Sequence, residues 1–146
     1  MSRPDLSQSS MLDLFRMEAD SQSQALTASL LALERDPTAA DHLECCMRAA
    51  HSLKGAARVV GLDVGVRITH AMEDCFVAAQ QGRLHLQQPH IDELLRGVDL
   101  LRQIADTDDD NMGRWETETL GEVTAFLDTL QQVLASPVAG DRKSVV

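Results

Sequence analysis

The chain has 146 residues, of which 44% are hydrophobic but only 3% aromatic, with no Tyr, 4 Pro and 8 Gly. This is the size of one ordinary domain, and its core must be built of Leu, Val, Ala, Met and Ile, a palette that favours packed helices over sheets. A net charge of -10 argues against nucleic acid and anionic lipid as partners, because an acidic surface repels both.

Residues 1–10 (MSRPDLSQSS) are polar and are expected to form a flexible tail. They lack the apolar stretch of a signal peptide, and no apolar run in the chain approaches the ~18 residues of a membrane span. From Met11 to Arg35 apolar residues recur at helical spacing: Leu12, Phe15, Ala19, Leu26, Leu30 and Leu33. Asp36-Pro37 then reads as an N-cap followed by a first helical residue. The second helix is expected from about Pro37 to Val60, with Leu43, Cys46, Ala50, Leu53, Ala57 and Val60 forming a bundle seam. Gly61 suits a C-cap and Asp63 an N-cap.

The third helix is expected to end near Gln81, with Ile68, Met72, Cys75 and Ala79 on its seam and Gly82 closing it. Pro89 opens a fourth helix through Ile91, Leu94, Leu95, Val98, Leu101 and Ile104. The run Asp106-Thr107-Asp108-Asp109-Asp110 is expected as a solvated loop. The fifth helix spans about Gly113 to Ala135 through Leu120, Val123, Leu127, Leu130 and Leu134, and Ser136-Pro137 begins a linker over 136–146. Short connections between long helices imply antiparallel neighbours. The expected fold is all-α, an up-and-down antiparallel bundle of a four-helix core plus a fifth helix, over residues 11–135.

The most informative stretch is His51-Ser52-Leu53-Lys54-Gly55-Ala56-Ala57-Arg58. At ~100° per residue, Ala50, Leu53 and Ala57 fall together on the seam, and His51 lies roughly 120° away with Glu44, Met47, Lys54, Gly55 and Arg58. His51 therefore faces solvent. Lys54 is one turn on and able to reach the ring. Gly55 costs a helix about 1 kcal/mol against Ala, and on an exposed face it has no packing reason within the domain. Clearance for something approaching His51 is one such reason, and Arg58 offers a charge contact farther along. His51 lies ten residues before Gly61 and His70 nine after it. In an antiparallel hairpin they sit at similar height; whether they face each other stays open at this point.

The run from His51 to Ala57 resembles the phosphorylation motif of histidine phosphotransfer domains: a His, an apolar position two on, then Lys-Gly. Thr69-His70-Ala71-Met72-Glu73 resembles the His-x-x-Glu of the phosphotransfer domain of the chemotaxis kinase CheA. Ala56 departs from the pattern, standing where many relatives have a second Gly. The wording of the sequence further resembles the N-terminus of the Wsp-type CheA homologues, hybrid kinases of bacterial surface sensing. The resemblance implies a module of two-component signalling, with His51 as phosphoacceptor, Lys54 supporting the phosphohistidine, and His70 with Glu73 in a hydrogen-bonded network around it. It implies as partners the kinase ATPase domain of a parent chain and the receiver domain of a response regulator, whose aspartate takes the phosphoryl group. No Gly-rich phosphate loop is present, so ATP and magnesium are expected only on the separate kinase domain. No cofactor and no catalytic activity are expected of this segment alone.

Other features have blander readings. Cys45, Cys46 and Cys75 are an odd set without a framework, which suggests a reducing, cytoplasmic setting. His42, Cys45 and Cys46 lack an evident fourth ligand for zinc, and the Asp run lacks the Gly and closing Glu of a calcium loop. The methionines are expected as core fillers. The rival classes are a non-phosphorylated adaptor or dimerisation bundle, which has no need of Gly55 or a matched His pair, and the dimerising His hairpin of an ordinary sensor kinase. Five helices suit a closed monomer better than the latter.

Overall fold

Leu, Ala and Val at steps of three and four do produce helices. The computed structural model describes residues 3–135, with side chains from Met11 onward, and contains α1 (Arg3–Arg35), α2 (Ala40–Val59), α3 (Asp63–Gln80), α4 (Gln88–Asp106) and α5 (Asp109–Ala135). Helix α1 packs on α2 and α4, α2 on α3, and α3 on α4, which closes a four-helix ring. α5 lies against α3 and α4 on the outside. The expected seams are inside: Leu26, Leu30, Leu33, Leu53, Ile68, Met72, Ile91, Leu94 and Leu101 are all fully buried. Each such side chain contributes ~1.5–3 kcal/mol by leaving water.

The ends of the helices have local causes. Gly61 and Gly82 both adopt φ +77, which costs Gly little and other residues more. At each, two backbone bonds close a Schellman turn: Leu62 N–H to Ala57 O with Gly61 N–H to Arg58 O, and Arg83 N–H to Ala78 O with Gly82 N–H to Ala79 O. Arg16 of α1 donates to the carbonyls of Ala105 and Thr107, placing a cation at the negative end of α4.

Several expected boundaries shift. Residues 3–10, expected as a flexible tail, continue α1, since nothing after Pro4 interrupts a helix and Pro is tolerated in its first turn. Asp36 does not cap α2. Its Oδ1 accepts from the backbone N–H and hydroxyl of Thr38, and the helix starts at Ala40. Leu62, not Asp63, is the N-cap of α3, and Asp63 is its first residue. The acidic run is not a loop: only Thr107 and Asp108 connect α4 to α5, and Asp109 and Asp110 fill the first turn of α5, where negative charge meets the positive helix end. Asp108 Oδ1 accepts the Asn111 backbone N–H there. Leu120 and Met17, expected to face the core, are 61% and 67% exposed. The linker expected over 136–146 lies outside the described residues.

Two residues outside the expected seams fix α5. Phe126 is fully buried, and it enters a notch at Gly97 of α4. A β-carbon at Gly97 would stand 2.5 Å from Phe126 Cζ and 2.9 Å from Met72 Sδ. Leu84 and Leu86, in the connection between α3 and α4, are also buried, with exposed His85 between them.

Candidate functional site

The site begins with how closely α2 and α3 approach. The inner face of α2 is largely small: Ala49, Ala50 and Ala57 are buried with Leu53. On α3, Gly65 faces Ala57, and a β-carbon at Gly65 would lie 3.3 Å from the Ala57 β-carbon. Small residues at this crossing let the two helices run close together away from the Gly61 turn, so side chains on facing edges meet.

Three of them do, two of them at the carboxylate of the third. Glu73 of α3 places Oε2 2.8 Å from His51 Nδ1 and Oε1 2.5 Å from Lys54 Nζ. The Glu73 and Lys54 side chains are only 13% and 15% exposed, whereas His51 is 68% exposed. The His ring thus has one nitrogen tied to a largely buried anion, while among the described residues Nε2 has no partner. Burial alone raises the Glu73 carboxyl. Hydrogen bonds from Lys54 and His51, and their charges, outweigh it and hold the group below the ordinary carboxylate range. An ionised Glu73 accepts the Nδ1 proton, so the tautomer this geometry favours leaves the Nε2 lone pair bare and pointing outward.

The neighbourhood is braced from α1. Ser52, next to His51, donates to Glu18 Oε2 at 2.7 Å, and Gln22 donates to the same oxygen at 3.0 Å. Nothing in the sequence marked Glu18 or Gln22 as part of this arrangement. Helix α2 is therefore held on one side by a carboxylate from α1 and on the other by a carboxylate from α3.

The remaining expected residues divide. His70 does not enter the set around His51. It is 60% exposed, and its Nε2 lies 3.5 Å from Asp74 Oδ2 one turn along α3. The network is therefore shorter than expected: Glu73 reaches His51 directly, with no second imidazole between. Glu73, by contrast, is largely buried. Gly55 is exposed, and a β-carbon there would meet no atom within 4 Å. Internal packing does not require a Gly. Arg58 is exposed in the last turn of α2, where a cation suits the helix end.

Two of the cysteines, Cys46 and Cys75, are poor nucleophiles. Burial pushes the Cys46 thiol up to about 12, with Cys45 adding to it, and does the same to Cys75, with Asp74 adding. Among the described residues, no group of three or more His, Cys, Asp or Glu side chains is placed to hold a metal ion. No helix among them is long and apolar enough to cross a membrane.

The sequence and the fold both have known relatives. The Hpt domain model matches residues 10–104. The chain is 30% identical over 112 residues to the sensor histidine kinase CheAY of Helicobacter pylori, covering 74% of this chain and 14% of that one. It is 31% identical over 121 residues to the chemotaxis protein CheA of Halobacterium salinarum, covering 80% of this chain and 18% of that one. The chain thus spans less than a fifth of these relatives. Among solved structures, the phosphorylated P1 domain of CheA3 in complex with CheY6 from R. sphaeroides is similar at a TM-score of 0.72 and 26% identity, over 86% of this chain and 96% of that one.

Proposed function

The chain belongs to the Hpt domain family, and on that premise we propose that it is the phosphoacceptor segment of a CheA-type histidine kinase, with His51 as the phosphorylated residue. The observation that carries this is the His51 ring itself: Nδ1 tied to Glu73, Nε2 bare, and the side chain 68% exposed.

The chemistry follows from that ring. A neutral imidazole, with a reference pKa of ~6.5, is a usable nucleophile near neutrality. The Nε2 lone pair attacks the γ-phosphorus of ATP held by the kinase ATPase domain. An N–P bond forms, the P–O bond to ADP breaks, and ADP leaves with that electron pair. Positive charge developing on the ring is opposed by the Glu73 carboxylate 2.8 Å from Nδ1. In the second half, a carboxylate oxygen of a response-regulator aspartate attacks the phosphorus, and the N–P electron pair returns to Nε2. Lys54 lies one turn along α2 from His51, and its contact with Glu73 Oε1 holds the carboxylate in place.

ATP and magnesium belong, in this reading, to the separate kinase domain, and the segment has no catalysis of its own. Gly55 serves as clearance, Arg58 as a docking contact, and the setting is cytoplasmic. The finer assignment, to the Wsp-type hybrid kinases, rests on the wording of the sequence; a receiver domain on the parent chain would support it. The rival, an unphosphorylated adaptor bundle, leaves the buried Glu73 beneath an exposed ring without a purpose.

The test is His51→Gln. The variant should melt like the wild type and take no label from a CheA-type kinase core with labelled ATP. Wild-type label should be acid-labile and alkali-stable. Full labelling of His51→Gln overturns the assignment.

A further inference from the structure

The directional contacts that tie α2 to its neighbours fall within a single turn. His51 and Lys54 bond Glu73 of α3, and Ser52 bonds Glu18 of α1. Elsewhere the inner face of α2 is largely small, with Ala49, Ala50 and Ala57 buried beside Leu43, Cys46 and Leu53. Burial of apolar side chains is non-directional, and small ones leave the rotation of a helix about its own axis weakly defined. Hydrogen bonds at the two edges define it.

Those edges are held unequally. On the α3 side Lys54 and His51 share Glu73, but Lys54 is 15% exposed and His51 is 68% exposed. Water competes for the imidazole and hardly reaches the ammonium, so when α2 rolls, the His51 bond is the one that yields. On the α1 side the acceptor is set in advance. Gln22, one turn along α1 from Glu18, donates to Glu18 Oε2 at 3.0 Å, and Ser52 donates to that same oxygen at 2.7 Å. A hydroxyl bond to a carboxylate is short and strong. Ser52 follows His51 directly, about 100° round the helix, and its bond runs to the opposite neighbour. A roll that carries His51 off Glu73 therefore also displaces Ser52 from its place on Glu18.

We propose that Glu18 is a positioning residue for the phosphoryl acceptor: through Ser52 it fixes the rotation of α2, and with it the bond from His51 Nδ1 to Glu73 that leaves Nε2 bare. This rests on the phosphotransfer reading above and deepens it. Glu18 acts on the ring through Ser52 and not by a bond of its own. Without the tether the ring exchanges between Glu73 and water, its proton resides on Nε2 part of the time, and attack from that nitrogen is blocked for as long. Glu18 and Ser52 are both half-buried between α1 and α2, so the surface offered to a kinase is left as it was.

The experiment uses the 146-residue chain with Glu18→Ala, Glu18→Gln, Ser52→Ala and the double Ala variant. Each is titrated as the substrate of a CheA-type kinase core with labelled ATP, and the His51 tautomer is read from imidazole 15N shifts. Glu18→Ala should lower kcat for labelling ~3–10-fold with KM nearly unchanged, and its 15N shifts should move toward the form protonated on Nε2. Ser52→Ala should do the same, and the double variant should be no slower than the slower single one, because both remove one bond. Glu18→Gln keeps an oxygen that accepts from Ser52 and should restore most of the rate. A Glu18→Ala variant that melts lower but keeps the wild-type kcat and tautomer has lost a brace of the fold alone, and overturns the proposal. A double variant whose losses add also overturns it, since Glu18 then acts by a route other than Ser52. A wild type that takes no label overturns the phosphotransfer reading, whereas a labelled wild type matched by Glu18→Ala overturns the role of Glu18 and leaves that reading standing.

Discussion

Glu73→Gln is the sharpest perturbation of the site, because it preserves shape and removes charge. Glu73 presents one oxygen to Lys54 Nζ and the other to His51 Nδ1. An amide has one carbonyl oxygen, so it can serve only one of them as acceptor. Lys54, 15% exposed, has little water to turn to and takes the carbonyl. The amide NH2 then faces His51 Nδ1 and donates to it, which favours the tautomer with its proton on Nε2 and blocks the nucleophile. Hydrogen bonds to charged groups contribute ~1.5–3 kcal/mol against ~0.5–1.5 for neutral ones. The His51 contact thus loses about 1 kcal/mol of transition-state stabilisation before the tautomer penalty. With ~1.4 kcal/mol per tenfold in rate, phosphorylation should slow about tenfold or more. The assay is the initial rate of label uptake at fixed kinase, with imidazole 15N shifts to assign the tautomer. A variant labelled at the wild-type rate, its proton still on Nδ1, would refute the reasoning. Acid titration supplies a second check. The folded Glu73 lies below its ordinary value, with burial opposing and the Lys54 and His51 bonds prevailing. Its stabilising contribution is therefore present above the unfolded carboxyl value of ~4.3 and lost as pH falls through the folded value. Wild-type stability should carry this acid-side loss and Glu73→Gln should not.

Two further substitutions test the packing and the approach to the ring. Gly97→Ala places a β-carbon 2.5 Å from Phe126 Cζ, so it should destabilise by ~1–3 kcal/mol in urea denaturation. Phe126→Leu in the same chain should recover part of that, and additive losses would mean the two do not share the notch. Gly55→Ala meets no atom and should stabilise by up to ~1 kcal/mol, while Gly55→Gln should leave the melting temperature nearly unchanged yet slow transfer to a regulator; equal transfer kinetics would return Gly55 to an unexplained weak spot in the helix.

Much of this was legible in the sequence, for physical reasons. Leu43, Cys46, Ala50, Leu53 and Ala57 announce a buried stripe by spacing alone, and that stripe places His51 outside. Gly61 and Gly82 announce their turns because few other residues hold φ +77 cheaply. What spacing does not fix is the rotation and slide of one helix against the next. Counting from Gly61 matched His51 with His70, whereas the close crossing of Ala57 on Gly65 and the burial of Ile68, Met72, Cys75 and Phe76 turn α3 so that Glu73 meets the ring. Phe126 and Gly97 were missed for a related reason: a notch is a property of two helices together. The acidic run misled because the same aspartates that suit a loop also suit the first turn of a helix.

The site's contacts are short in sequence. His51 and Glu73 are 22 residues apart, and Lys54 and Glu73 are 19 apart, across a turn of three residues, Val60–Leu62. Closing such a small loop costs little chain entropy, and local pairings of this kind form early and fast. α5 docks on α3 and α4 and has no contact with α2, so its motions reach the site through α3, the helix that carries Glu73, and not through the helix that carries His51. A fluctuation of the last helix therefore acts on the carboxylate side of the pair before it acts on the imidazole side.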